Sequence, residues 1–329
     1  DADLTGAYTV HNATYSNEFR SDYLTHQVGL ALKRKGTGYD LTAGVNVESS
    51  RISSHSVVAG VSATPLTRTT LNFSPTLRLS FKPQRGPELR LDYFGRSFAP
   101  TNEQLSPVQD VTNPLISYVG NQDLLPGFQH NLFGRFSKYW TKSQTSLFGR
   151  GQVVQHDIIQ RSLYDVTSGK RTVDYTNVDG NASFGLGGFL TQTLPGKKFS
   201  LRLASFNDLA RSHTYINGEK NRSISLRLRE ELGLNFRTTG IDMTLKGGFG
   251  YYNASNSLPS VVTLATKDYS LGYTTNLTLP LGFAFEGEAT YTTSRGYAAG
   301  YNQDQLLLSA GLSYSFLAGK KATIRLKGY

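Results

Sequence analysis

The sequence predicts an all-β chain, a transmembrane antiparallel β-barrel with about fourteen strands present. Three observations predict it. Apolar and polar residues alternate with period two along most of the chain. The connections between the alternating stretches are short and long by turns. Aromatic side chains gather at the ends of those stretches.

Composition narrows the class. The chain has 329 residues, of which 33 are glycine, and only 38% are hydrophobic. That balance suits many strands, each with one modestly apolar face. With no cysteine, a disulfide scaffold, a thiol nucleophile and a zinc–thiolate site are excluded. No apolar run approaches the ~18 residues of a membrane-crossing helix. The opening DADLTGAYTV has no basic-then-apolar leader, so we read a mature chain or a piece of a longer one. The formal charge is +10, yet Lys and Arg are scattered one or two per strand with no cluster longer than Lys33–Lys35. A nucleic-acid partner is therefore not expected.

The elements follow in order. Residues 1–21 read as a loop, with the end of a further strand at Leu4–Val10. Tyr23–Lys33 sets Leu24, Val28, Leu30 and Leu32 on one face, and Tyr39–Glu48 alternates Leu41, Ala43, Val45 and Val47 with Thr42, Gly44 and Asn46. A polar loop, Ser49–Thr69, leads to Leu71–Phe81 and, after a short turn, Leu89–Phe98. Beyond the long segment Ala99–His130 come Leu132–Tyr139 and Ser146–Val154, then a loop Gln155–Val178. Ala182–Gln192 and Phe199–Asn207 follow, and after another polar loop Ser223–Arg237 and Ile241–Tyr252. Tyr269–Leu281, Phe283–Tyr291, Leu306–Phe316 and Ala322–Tyr329 complete the series. Strands of about ten to thirteen residues, rising about 3.3 Å per residue at about 45° tilt, cross a bilayer's apolar slab.

Short turns after odd strands and long loops after even ones are the asymmetry of a bacterial outer-membrane barrel. Its turns are periplasmic and its loops extracellular, and its outer partner is membrane lipid. Phe81, Tyr139, Trp140, Phe199, Phe236, Phe283 and Phe316 lie beside short turns, and Tyr23, Tyr93, Tyr251, Tyr269 and Tyr291 near long loops, as two girdles. Glu230 resists the pattern: it shares parity with Leu226, Leu228, Leu232 and Leu234 and would face lipid, unless a β-bulge near Arg229–Glu231 turned it inward. At the end of the chain, Tyr329 has the parity of Lys327 and Arg325, and the last strand starts from a short turn. An open sheet leaves unpaired edges in lipid, so we expect a barrel incomplete at both ends.

Ala99–His130 holds four of the eleven prolines and reads as neither helix nor strand, the mark of a functional loop. Within it stand Leu105, Asn113-Pro114 and then Gly120-Asn121-Gln122-Asp123-Leu124-Leu125-Pro126-Gly127. This run resembles the TonB-dependent receptor-like outer-membrane barrels of Bacteroidota type, which show Asn-Pro and then Gly-Asn-Pro-x-Leu-x-Pro-Glu before a strand. Gln122 and Gly127 depart from that pattern. Asn177-Val178-Asp179-Gly180 and Ile324-Arg325-Leu326-Lys327-Gly328-Tyr329 also resemble the family, and the likeness covers essentially the whole chain. The resemblance implies a barrel of about 22 strands around an N-terminal plug, with energised uptake driven by a TonB-type protein. A surface lipoprotein or complex subunits would be further partners. It also leaves open a non-transporting barrel that serves as a structural or assembly subunit.

Candidate sites are of two kinds. By parity the lumen receives Arg78, Arg90, Asp92, Arg96, Arg135, Arg150, Arg202, Arg227, Arg229, Asp242, Lys246, Glu286 and Glu288. Such a wall attracts anionic cargo, or its charges are balanced by one another or by a plug. In the loop, Asn113, Pro114, Gly120, Asn121, Leu124 and Pro126 form either a cap that meets substrate or turns that fold a hairpin back into the mouth. The six histidines lack metal-ligand spacing, and no metal or cofactor is expected. No nucleophile motif occurs. His156 beside Asp157 is the nearest to a catalytic pair, but adjacent strand residues point to opposite faces, so no enzyme is expected.

Overall fold

The computed structural model describes residues 17–58, 61–62, 65–107, 110–113, 115–298, 300–317 and 322–329. The expected strand end at Leu4–Val10 and Pro114 of the loop motif lie outside the described residues. The first elements are β1 (Asn17–Gly36), β2 (Tyr39–Val58), β3 (Val61–Ser62), β4 (Leu66–Phe81) and β5 (Glu88–Phe98). The long segment then forms α1 (Asn102–Leu105), β6 (Asp110–Asn113) and β7 (Ile116–Tyr118) before β8 (Gly127–Tyr139) and β9 (Ser143–Gln155). A hairpin, β10 (Asp157–Tyr164) and β11 (Arg171–Val178), precedes β12 (Asn181–Thr193), β13 (Phe199–Ile216) and β14 (Glu219–Thr238). Last come β15 (Ile241–Asn256), β16 (Leu264–Thr278), β17 (Phe283–Arg295), β18 (Gln303–Phe316) and β19 (Ala322–Gly328).

All nineteen join one sheet. Its backbone is an antiparallel meander of β1, β2, β4, β5, β8, β9 and then β12 to β19 in order, which is the expected set of fourteen. Among the described residues β1 pairs with β2 and β19 with β18, and the sheet is open between β1 and β19.

Register sorts the side chains as the alternation predicts. Val28, Val47 and Phe73 are cross-strand neighbours on one face, as are Leu201, Leu234, Leu245 and Tyr273. The face is apolar and unburied: Val28, Leu30 and Leu32 are 75%, 81% and 75% exposed, which only an apolar solvent rewards. Aromatic pairs seal its edge beside the short turns, with Phe199 and Phe236 centroids 4.8 Å apart and Phe283 and Tyr314 4.5 Å apart. Two girdle residues belong elsewhere. Tyr23 and Tyr139 have the parity of the polar face, and Tyr23 donates its hydroxyl to Ser50 there at 3.0 Å.

The strands outrun the apolar band. The expected loop Ser49–Thr69 is strand as far as Val58 and again from Leu66, and the loop Gln155–Val178 contains the β10–β11 hairpin. The loop expected between Asn207 and Ser223 is replaced by an unbroken ladder closed at Asn217-Gly218. Both turn residues have positive φ, 49° and 82°, the requirement of a type I′ hairpin that Asn-Gly satisfies at least cost. The strict alternation of short and long connections therefore fails at this hairpin. The physical reason is that a ladder needs only backbone partners, whereas an apolar face is selected only within the slab. Glu230 needs no bulge: the pairings to β13 and β15 run through it without a shift, so its side chain is on the apolar face.

Candidate functional site

The polar face carries rows of side chains that register aligns across strands. Arg78, Asp92, Phe133, Arg150, Gly185, Asp208, Arg227 and Tyr252 are successive cross-strand partners. Within that row, Asp92 accepts from Arg78 Nε at 2.8 Å and from Arg90 Nε at 2.5 Å. Arg150 reaches over β12 to donate to Asp208 Oδ1 at 2.6 Å. Gly185 lies between those two strands, where a Cβ would stand 2.6 Å from Asp208 Oδ1 and 2.8 Å from Arg150 Nε. The bare position is what lets the ion pair cross a strand. Arg227 stacks over Tyr252, 5.3 Å from its centroid.

Arg135 faces Arg90 across the β5–β8 pair, and like charges so placed repel. Each turns away, Arg90 to Asp92 and Arg135 to the Ser137 hydroxyl at 3.3 Å. Arg96 and Arg229 are exposed on the same face. The later predicted charges, Arg202, Asp242, Lys246, Glu286 and Glu288, share it by register.

At the end of this wall the described residues of the segment 99–126 are folded rather than irregular. Thr101 and Gln104 cap α1 reciprocally. Leu105 and Leu124, 2% and 1% exposed, pack with Tyr175 of β11 and Ile52 on the polar face of β2. Leu105 and Leu124 of this segment thus pack against the polar face. Asn121 and Asn177 hold the segment. Asn121 Nδ2 donates to Tyr175 O at 2.9 Å, while Asn177 both accepts from Leu125 N–H at 2.8 Å and donates to Leu125 O at 2.9 Å. Arg68 ties Asp123 to β4 at 2.6 Å, and β7 adds to β11 in parallel. Gly120 touches α1: its N–H donates to Ser106 O at 2.8 Å, and a Cβ there would be 2.3 Å from that oxygen.

Of the predicted loop residues, Gly120, Asn121 and Leu124 are brought together, and Asn113 accepts from Leu115 N–H in its own turn. Pro126 immediately precedes β8. Sequence reasoning passed over Tyr175 and Asn177, although Asn177 stood in the resembling Asn-Val-Asp-Gly run. The β10–β11 tip is an ordered turn in which Asp165 accepts from the Ser168 hydroxyl at 2.6 Å and Thr167 N–H at 2.9 Å. The Ser168 bond first, then that of Thr167, holds the Asp165 carboxyl below the ordinary range. Asp157 beside His156 is engaged instead by Asn181 Nδ2 at 2.7 Å.

An open antiparallel meander, apolar and exposed on one face, charged and capped on the other, is the architecture of a bilayer-spanning barrel wall. Residues 2–329 match the outer membrane protein beta-barrel family. The chain belongs to that family. This outer-membrane barrel chain is matched by no curated protein. Among solved structures it is similar to the beta domain of the Bordetella autotransporter BrkA, at 12% identity and a TM-score of 0.27, over 90% of this chain and 99% of that one. It is also similar to the copper transporter OprC, at 10% identity and a TM-score of 0.28, over 91% of this chain and 65% of that one.

Proposed function

We propose that the chain is the barrel of an energised outer-membrane transporter of TonB-dependent receptor-like type, as in Bacteroidota, taking up an anionic nutrient or metal-chelate cargo. The observation that supports the reading is that Leu105 and Leu124 of the long segment pack against the same polar face whose rows contain Arg78, Arg90, Arg150 and Arg227, and we read that segment as a cap over the lumen. The cap faces the outside, where cargo arrives, and the short turns face the periplasm. An N-terminal plug and a TonB-type energising protein complete the machine, and a surface lipoprotein is a further partner. Arg96 and Arg229, and Arg135 beyond its bond to the Ser137 hydroxyl, are exposed wall residues placed to meet cargo or plug. The test compares cells with and without the gene, with and without a protonophore, for accumulation of anionic and chelated solutes. At least one such solute should fall in the deletion strain, be restored by the wild-type gene and stay low with Arg78→Gln/Arg150→Gln/Arg227→Gln. Identical profiles in all strains would end the proposal.

One observation favours a second role, as a structural or assembly subunit. On the apolar face, Ser205 Oγ donates to Glu230 at 2.9 Å and Asn207 lies 2.8 Å from the same hydroxyl. Polar groups set in a lipid-facing surface are costly and mark function. If that face meets lipid alone, Glu230→Leu is expected to stabilise the barrel by about 1 kcal/mol, read as a higher urea midpoint in bilayers. Loss of a co-purifying membrane partner with no such gain would instead establish the subunit role.

A further inference from the structure

The apolar face carries a groove of about 540 Å³ that neither the wall nor the cap uses. Its floor is Gly151, paired with Leu132 on one side and Phe184 on the other, and Leu209 and Ile224 wall its far end. Directly beyond Leu209 on the same face stand Arg211 and His213 of β13, opposite Ile224 and Arg222 of β14, and then Lys220 opposite Tyr215. On this face neither β13 from Leu203 to Tyr215 nor β14 from Lys220 to Leu228 bears a carboxylate. Arg211 is aimed by its Nε bond to Gly180 O at 2.6 Å, and Asn181 fixes the His213 backbone N–H at 2.8 Å. Among the described residues the Arg211 guanidinium is engaged only through Nε, which leaves its terminal donors for another acceptor.

An apolar slot lined at its end by Arg211, with Arg222 and Lys220 next along the same face, has the polarity of one lipid, an acyl chain below and phosphate above. Arg211 is two residues from Leu209, about 7 Å along the strand, the spacing between the last buried methylenes and a headgroup. We propose that this groove holds a phosphorylated, multiply acylated glycolipid of the outer leaflet, lipid A in chemistry. Arg211, Arg222 and Lys220 bind its phosphates and the Gly151 slot takes one acyl chain. The choice of leaflet rests on the outward orientation of the cap proposed above.

The protein is extracted from outer membranes in mild detergent, and its retained lipids are measured by native mass spectrometry. Lipid A-class glycolipid should remain on the wild type, fall about tenfold in Arg211→Ala/Arg222→Ala, and fall likewise in Gly151→Leu. The Gly151→Leu variant keeps every charge, and its Cβ would meet no atom nearer than 3.8 Å, so the rest of the side chain occupies the open groove. The interior variant Arg227→Ala/Arg229→Ala should retain lipid as wild type does. Equal retention in the wild type and both groove variants, or retention of glycerophospholipid alone, overturns the proposal. Orientation is checked separately with Ser168→Cys, because the chain has no native cysteine. Labelling by an impermeant maleimide in intact cells upholds the outward cap, so a failed lipid result would then count against the groove alone. If the double variant does not assemble, Gly151→Leu carries the test.

Discussion

Gly120→Val is expected to unseat the cap while leaving the barrel standing. A Cβ at this position would lie 2.3 Å from Ser106 O, 2.5 Å from Ser106 N and 2.7 Å from Glu103 O, all backbone atoms of α1 and its C-terminal cap. Backbone cannot rotate away as a side chain can. The segment must lift, breaking the bonds from Gly120 N–H to Ser106 O and from Asn121 N–H to Gln104 O. Lifting also pulls Leu105 and Leu124 from their contacts with Ile52 and Tyr175. Overpacking of this kind costs about 3 kcal/mol, enough to leave the segment open much of the time. The readout is limited proteolysis of intact outer membranes: cleavage within 99–126 should rise more than tenfold over wild type, with the urea midpoint of the barrel nearly unchanged. Unaltered cleavage would show that the cap does not depend on this contact.

Asp92→Ala should produce the largest loss of any single interior substitution. The carboxylate is nearly buried and accepts from both Arg78 and Arg90, whose side chains are themselves 69% and 57% exposed. Bonds to a charged group contribute about 1.5–3 kcal/mol each, and water around the two arginines screens much of that. We expect a net loss of about 2 kcal/mol. The variant also leaves Arg78, Arg90 and Arg135 adjacent without a counter-charge, so their repulsion adds to the loss at low salt. Raising salt to about 1 M shortens the screening length to about 3 Å and should recover part of the deficit. Denaturation in lipid vesicles at two salt concentrations reads both effects. A midpoint equal to wild type at low salt would show that lumen water already carries the charge.

Much of the wall is legible in the residues themselves. The parities of Arg78, Asp92, Arg150 and Arg227 put them on one face, and register puts them in one row, because a strand's period of two leaves no freedom once a neighbour is paired. What escapes the alternation lies outside the apolar slab. The β13–β14 ribbon continues to Asn217-Gly218 although its apolar alternation has ceased, and the Asn-Gly pair is the signal that marks it. Tyr175 and Asn177 escape for a different reason. They belong to a hairpin that gains its fixed place only by packing on the folded segment, and no local pattern records a partner more than fifty residues away.

The sequence alone determined that this chain has two chemically opposed faces repeated strand after strand, because alternation at period two has no other stable use than a sheet between unlike solvents. It also determined the family-like run around Gly120 and Asn121. Only the tertiary structure decided that Arg150 reaches Asp208 over a bare Gly185, that Glu230 stays on the apolar face, and that Leu105 and Leu124 of the long segment pack on the polar face. Those outcomes depend on which strand lies beside which and on how closely backbones approach. Both are set by packing between residues far apart in the chain.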